Sequence, residues 1–376
     1  MNGFVLVNKG TENVASCELI ELIKTKPDVK ETIIKFPIKS NLDLCSVCYK
    51  SQSISKVVLL LSEFDVEKTL KKTLENFNIN SKIKQWSKKK IRVDCKRVGE
   101  HKFNSVDISA GISKKLIKET KVEIDYDSPD IIFFIYVYKN LAYFGVDFSG
   151  IDLSKRQYKI FQHPESLKGT TAYSLLRMSE YNKKDMIIDP FMGSGMIIIE
   201  AALYNLNFPV HYYSKERLAF TNYEFFKKDS LKFFEKHDKL IKKNTTKIYG
   251  YDNQLRFLKA TQKNAKMAGI DKSLILSKID VEWLDTKFEK NSVDKIITDA
   301  PRVSKHKDLK KLGKIYHEFF YQSAYVLKKQ GTISVLTRDF KLLEENAKKH
   351  KFKITKKYLI NQGKDEFNFI IFKQVE

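Results

Sequence analysis

The sequence predicts an α/β protein in two parts, an α+β front region followed by a mostly parallel sheet flanked by helices. Three observations carry this. Beyond residue 169 short apolar strands alternate with helical stretches, as in parallel sheets. Over about the first 150 residues strands and helices mix without that regularity. The length, 376 residues, is room for two or three domains. The expected division is 1–62, 63–150, a connector at 151–168, and 169–376.

In the front region "GFVLVN" reads as a strand and "TENVASCELIELIKT" as a helix, with Val14, Leu19, Leu22 and Ile23 on one face. "SKVVLLLSEF" reads as a strand. "DVEKTLKKTLENF" places Val66, Leu70, Leu74 and Phe77 at helical spacing, with Asp65 as N-cap. "KKIRVDCKRV" alternates as a polar strand, "SVDISAGISKKLIKET" is a helix, and "DIIFFIYVY" and "LAYFGVDFSG" form a strand pair. The connector "GIDLSKRQYKIFQHPESLKG" lacks periodicity. After it come the strands "MIIDPF", "KIYGYD", "LILSKID", "DKIITDA" and "TISVLT", then an antiparallel edge hairpin from "KITKKYLI" and "NFIIFKQV".

Lys and Arg total 69 against 46 Asp and Glu, a formal net charge of +23. Such a surplus favours a polyanionic partner, because each neutralised phosphate releases a counterion. The charge is clustered: from Lys82 to Lys102 there are nine Lys or Arg and two acids. No long uncharged apolar run predicts a membrane span, and the N-terminal "MNGFVLVNKG" is not a signal peptide, so a cytoplasmic protein is expected. Cys45 and Cys48 have the spacing of half a zinc site, but no second pair follows. They read as buried thiols in or beside a strand, and no metal is expected.

The stretch "MIIDPFMGSGMIIIEAAL" carries the chemistry. Gly193, Ser194 and Gly195 stand between a strand and a helix, where a backbone without Cβ atoms can approach a ligand. A dinucleotide fingerprint would have a third glycine at Ile198, and a phosphate loop would need Gly-Lys-Ser/Thr, so phosphate binding is not favoured. Asp189, Asp252, Asp280 and Asp299 end four successive strands. An acid at the second suits a ribose and one at the third an adenine amine. The set fits an adenosine with a cationic, unphosphorylated tail, which describes S-adenosyl-L-methionine.

"DPFMGSGMIIIEAAL" resembles the first motif of the THUMP-containing RNA methyltransferases, usually Asp-Pro-Phe-x-Gly-Ser-Gly-x-x-x-x-Glu-Ala. "FQHPESLKGTTAYSLLRMS", "CYKSQSISKVVLLL" and "CKRVGEHKFNSVDI" resemble further segments of that family, of the archaeal tRNA guanine-N2 methyltransferase type. The resemblance implies a ferredoxin-like domain at 1–62, a THUMP domain at 63–150 and a class I, Rossmann-like methyltransferase domain at 169–376. It implies S-adenosyl-L-methionine as cofactor, held by Thr170, Thr171, Ala172, Asp189, Gly193, Ser194, Gly195, Asp252, Asn253, Asp280 and Val281. The partner it implies is tRNA, bound by a monomer.

Asp299, Ala300, Pro301 and Arg302 stand where amine-methylating relatives carry Asn/Asp-x-Pro-aromatic, so the resemblance assigns them to catalysis at a guanine N2 amine. That amine is a poor nucleophile; a carboxylate and a backbone carbonyl accepting its N–H groups would activate and aim it. Arg302 replaces the stacking aromatic, and Val303 a common glycine. Arg302 either stacks on the base or pairs with Asp299 and silences it. Lys88, Lys89, Lys90, Arg92, Lys96, Arg97, His101 and Lys102 are the expected RNA contacts. Trp86 and Tyr49 read as core or rim, and His306 and His317 as surface residues. Guanine 6 of the acceptor stem is the expected target. Guanine 10, a ribosomal RNA guanine, and a catalytically silent RNA-binding protein are the alternatives; an NAD-dependent dehydrogenase is the remote one.

Overall fold

The computed structural model describes residues 1–375 apart from 162–166, 228–229, 244–246, 304–307 and 339. The chain builds two sheets. The first uses β1 (Asn2–Leu6), β2 (Asp28–Lys30), β3 (Ile33–Pro37), β4 (Lys56–Asp65), β5 (Lys90–Val98), β6 (Glu123–Ile124), β7 (Ile131–Tyr138) and β8 (Leu141–Asp147). Their spatial order is β2-β3-β1-β4-β8-β7-β5-β6. The border expected at 62/63 falls inside β4, which pairs with β1 on one side and β8 on the other. One continuous sheet therefore spans both front segments.

Helices Glu12–Ile23, Asn41–Lys50 and Ser105–Thr120 cover one face of this sheet. The last shows why helices start where they do. Asn104 Oδ1 accepts from the Val106 and Asp107 amides at 2.8 and 3.0 Å, and Asp107 Oδ2 accepts from the Asn104 amide at 2.8 Å. Ile108, Ile112 and Leu116 then recur on the buried side.

Two local expectations are corrected. Cys45 and Cys48 are buried as expected, but on the helix Asn41–Lys50 that packs beside β4, three residues apart on its inner face, and not within a strand. Asp65 belongs to β4, and the helix after it begins at Leu70 with Thr69 at its cap. Pairing with β8 runs to Asp65, and the Val66 amide still donates to the Asn140 carbonyl, which holds the chain extended where the helical spacing begins. Tyr49 is fully buried and donates to Asp238 Oδ1 at 2.6 Å, while Trp86 is partly buried against the core.

The second sheet uses β9 (Ile187–Asp189), β10 (Ile248–Asp252), β11 (Ile275–Lys278), β12 (Val293–Asp299), β13 (Leu327–Thr337), β14 (Phe352–Gln362) and β15 (Asp365–Gln374). Its order is β11-β10-β9-β12-β13-β15-β14, parallel through β13 and closed by the antiparallel β15–β14 hairpin. The chain starts at β9 in the middle, runs outward to β11, and returns to β12 on the other side. The reversal between β9 and β12 opens a crevice at the strands' carboxyl ends.

Residues 212–227 and 230–238 leave this domain and finish the core of the other. Leu218, Phe220, Tyr223, Phe226 and Phe233 are buried with the front sheet's apolar residues. Lys215 and Asp238 pair at 2.7 Å beneath Tyr49. Among the described residues no helix is long and apolar enough to cross a membrane, and none of the His, Cys, Asp and Glu side chains form a metal-holding group of three or more.

Candidate active site

The crevice has a volume of about 450 Å³ and lies between the loops that follow β9, β10, β11 and β12. Asp189, Gly193, Ser194, Asp252, Asn253, Asp280, Val281, Asp299, Ala300, Pro301 and Arg302 all line it. Residues scattered over more than one hundred positions of sequence thus meet at the switch point.

The glycine loop is shaped by two left-handed residues, Gly193 at φ +53° and Gly195 at φ +82°. A Cβ on Gly195 would stand 2.4 Å from Thr261 Cγ2, so this glycine lets the loop close on the helix Leu255–Met267. A Cβ on Gly193 would meet nothing within 4 Å. The loop is tied from behind. Thr261 Oγ1 donates to the Gly193 carbonyl at 2.9 Å, and Asn264 Nδ2 to the Ser194 carbonyl at 3.1 Å.

Asp252 fixes the loop to the next strand, accepting from the Gly193 amide at 3.2 Å and the Gln254 amide at 2.9 Å. Asp280 stands two residues beyond the end of β11, at the head of a short 3-10 helix, and not at the strand end itself. It accepts from Asn253 Nδ2 at 3.0 Å, which joins two of the expected cofactor contacts into one polar wall. Asp189 is buried and accepts from Thr298 Oγ1 at 2.6 Å across the switch point. Burial pushes its carboxyl up to about 7, the Thr298 hydroxyl and Phe191 amide oppose this, and Asp299 and Asp252 push it further.

The loop Asp299–Arg302 is held at both ends. The Ala300 amide continues the ladder to the Leu336 carbonyl at 3.1 Å, and Tyr316 donates its hydroxyl to the Pro301 carbonyl at 2.8 Å. Arg302 Nη2 donates to Asp299 Oδ1 at 2.5 Å, and its guanidinium lies 4.9 Å from the ring centroid of Phe367. Arg338, paired with Asp365 at 2.8 Å, lies 4.7 Å from the same ring. Of the two roles expected for Arg302, this arrangement has the ion pair with Asp299.

Thr170, Thr171 and Ala172 are buried on the helix Gly169–Met178 and do not line the crevice. Both threonine hydroxyls accept from Asn8 Nδ2, at 3.5 and 3.1 Å, and serve the contact between the two halves of the chain. Leu167, just upstream, lines the crevice in their stead. Gly195 stands behind the loop and shapes it. Sequence reasoning missed Phe191, Arg256 and Phe257 in the lining, and Phe367 beneath Arg302. Arg256 and Phe257 follow the strand-end Asp252 on the first turn of a helix, a signal that was available. Phe367 comes from β15 and is recognisable only once the sheet order is known.

The expected RNA contacts run from Lys88 and Lys89, just before β5, along that strand and into the turn after it, near the sheet edge beside the two-residue β6. Lys88, Lys90, Lys96 and Lys102 are exposed. Lys89 pairs with Glu224, Lys90 with Asp125 and Arg92 with Asp94, at 3.3, 3.4 and 3.1 Å. Arg97 Nη1 reaches the Gly99 carbonyl and His101 Nδ1, both at 2.9 Å, and His101 Nε2 reaches the Lys139 carbonyl at 2.7 Å. His317 is exposed and lies 3.0 Å from His350, ring nitrogen to ring nitrogen. His306 lies outside the described residues.

Two family models match the chain: "RMKL-like, methyltransferase domain" over residues 156–366 and "THUMP domain" over 64–147. A protein of Methanocaldococcus jannaschii named tRNA (guanine(6)-N2)-methyltransferase is 26% identical over 96% of this chain and 97% of its own length. One of the same name from Archaeoglobus fulgidus is 24% identical over 73% of this chain and 67% of its own. A ribosomal RNA large subunit methyltransferase K/L of Vibrio parahaemolyticus is 26% identical over 75% of this chain, which spans 41% of that longer protein. In fold, the chain superposes on TrmN from Thermus thermophilus with a TM-score of 0.70 at 19% identity, covering 100% and 99% of the two chains. It superposes on SMU.472, a methyltransferase structure complexed with SAH, with a TM-score of 0.81 at 20% identity, covering 100% and 98%.

Proposed function

The chain belongs to the RMKL-like methyltransferase family, and from that membership we propose that it transfers a methyl group from S-adenosyl-L-methionine to the exocyclic N2 of a guanine in tRNA, with guanine 6 of the acceptor stem as target. The observation that carries this is the crevice at the β9/β12 reversal, where the glycine loop and Asp252–Asn253–Asp280 wall face the Asp299–Arg302 turn.

Asp252 and Asp280 suit the ribose and the adenine of the donor, and the acid-rich floor suits its ammonium and sulfonium charges. When bound, the donor supplies an activated methyl group. The chain's own task is to place the amine in line with it. Asp299 accepts one N–H of the amine and the Ala300 carbonyl the other, which returns electron density to the nitrogen and fixes its lone pair. Positioning of this kind removes up to about 7–11 kcal/mol of a barrier in well-oriented cases. The exposed cations of β5 and the turn after it hold phosphates, which gives affinity without base reading. The protein acts in the cytoplasm as a monomer. The 62/63 division and the RNA-contact assignments belong to this same reading.

The names of the M. jannaschii and A. fulgidus relatives favour guanine 6. The ribosomal RNA enzyme, similar over a part of its length, keeps an rRNA guanine as second reading. The experiment is incubation of the purified protein and donor with unmodified tRNA and, separately, unmodified ribosomal RNA, followed by nucleoside mapping. N2-methylguanosine at position 6 of tRNA supports the first reading. The same nucleoside in ribosomal RNA alone supports the second.

A further inference from the structure

Glu200 is fully buried on the helix Met196–Leu206, which starts at the glycine loop. Its carboxylate accepts from Arg156 Nε at 2.6 Å, Arg156 Nη2 at 3.3 Å, the Tyr158 hydroxyl at 2.5 Å and Gln52 Nε2 at 2.6 Å. Arg156 Nη2 also donates to the Gln52 carbonyl at 2.6 Å and Nη1 to the Leu153 carbonyl at 2.5 Å. The Gln52 and Ser53 amides in turn donate to Glu18 at 2.7 and 3.0 Å. One polar chain thus runs from the first helix of the front half, through the connector, to the helix that carries the glycine loop. Gly169 makes the room for it: a Cβ there would stand 2.1 Å from Arg156 Nε and 2.5 Å from Glu200 Oε1.

A buried ion pair is a poor choice for stability alone, since well-packed apolar residues of the same volume are often as good or better. What this knot supplies is direction. All three nitrogens of the Arg156 fork and both carboxylate oxygens are engaged, which favours one relative setting of the two halves. Asn8 on Thr171 at 3.1 Å and Arg177 on Glu21 at 2.5 Å hold the same seam at its flanks. A rotation of one half against the other would change the distance between the basic surface of β5 and the Asp299 loop.

We propose that the Arg156–Glu200 knot is a specificity-determining device: it sets the offset between the RNA-gripping front half and the Asp299 loop, and so selects which nucleotide is methylated. This rests on the RNA methyltransferase reading above. Neither residue touches substrate or donor, so both are positioning residues.

The test compares full-length native protein with the Arg156→Met/Glu200→Met double variant, and with Gln52→Met, which leaves the ion pair and the backbone bonds of residue 52 and removes only the side-chain bonds from the front half to Glu200. Each is assayed for melting temperature, donor affinity, tRNA affinity and the map of methylated positions in an unmodified tRNA transcript. The double variant is expected to bind donor and tRNA within about threefold of native, to lose at least tenfold in rate at the native guanine, and to spread label onto neighbouring guanines. Gln52→Met is expected to spread label less, and it carries the test if the double variant does not fold. Label at the native guanine alone in both variants overturns the proposal, as does an equal loss at all positions that tracks lost folding in both. Native protein that labels no RNA overturns the function itself, and the knot's role as selector with it.

Discussion

Arg302 donates to Asp299, Nη2 to Oδ1 at 2.5 Å, while its guanidinium lies 4.9 Å from the centroid of Phe367. The two side chains are only 9% and 20% exposed, so the pair is sheltered from solvent screening. The guanidinium takes one oxygen of the carboxylate and holds its plane. In this setting Arg302 acts as a brace that orients Asp299 for the role proposed for it.

Arg302→Ala is therefore expected to leave donor affinity within about threefold of native and to lower the single-turnover methylation rate by about 10–100-fold, the scale of a misplaced reacting group. Arg302→Lys keeps the charge and loses the planar fork and the ring contact, and is expected to fall between the two. A faster Arg302→Ala enzyme would show that the pair silences the site.

Asp299→Ala removes the proposed acceptor for the amine and is expected to cost about 10³-fold or more in rate, with donor binding retained. Asp299→Asn keeps one acceptor oxygen and is expected to retain activity within about 100-fold of native. Transfer of labelled methyl to unmodified tRNA measures both.

Asp189 gives a pH signature. Its carboxyl is raised by burial from the usual value near 3.8 to about 7 in the folded chain. A raised folded value favours the protonated form. The stability it contributes is full below about 3.8 and is lost as pH rises through about 7. At about 1.4 kcal/mol per pH unit, this amounts to a few kcal/mol. Native protein is expected to lose melting temperature between pH 5 and pH 8 more steeply than Asp189→Asn. Parallel melting curves against pH would contradict the raised carboxyl.

The two loop glycines separate backbone strain from packing. Gly193→Ala meets open space and is expected to cost about 1–2 kcal/mol for the left-handed conformation alone. Gly195→Ala carries the same backbone cost and drives a methyl group to 2.4 Å from Thr261 Cγ2, so it is expected to be destabilised further and to weaken donor binding. Chemical denaturation of the two variants gives the ranking.

The parallel sheet and its site were legible because the signal is local. Each strand is a short apolar run, and the aspartates fall at or just past the ends of consecutive runs. What failed locally was decided elsewhere. Cys45 and Cys48 sit in a short apolar stretch that strand and helix share equally, and only packing decides between them. Thr170 and Thr171 face Asn8, more than 160 residues upstream, which no pattern near them announces. The pairing of Arg302 with Asp299 was legible as an alternative. Its contact with Phe367 depends on β15 inserting beside β13, and that is set by sheet order.

The most direct measurement is liquid chromatography–mass spectrometry of nucleosides from unmodified tRNA incubated with the protein and donor bearing a trideuterated methyl group. Trideuterated N2-methylguanosine from native protein, absent with Asp299→Ala, is the expected result. Label on another base or atom, or no label although tRNA and donor both bind, would contradict an amine-methylating crevice built around Asp299.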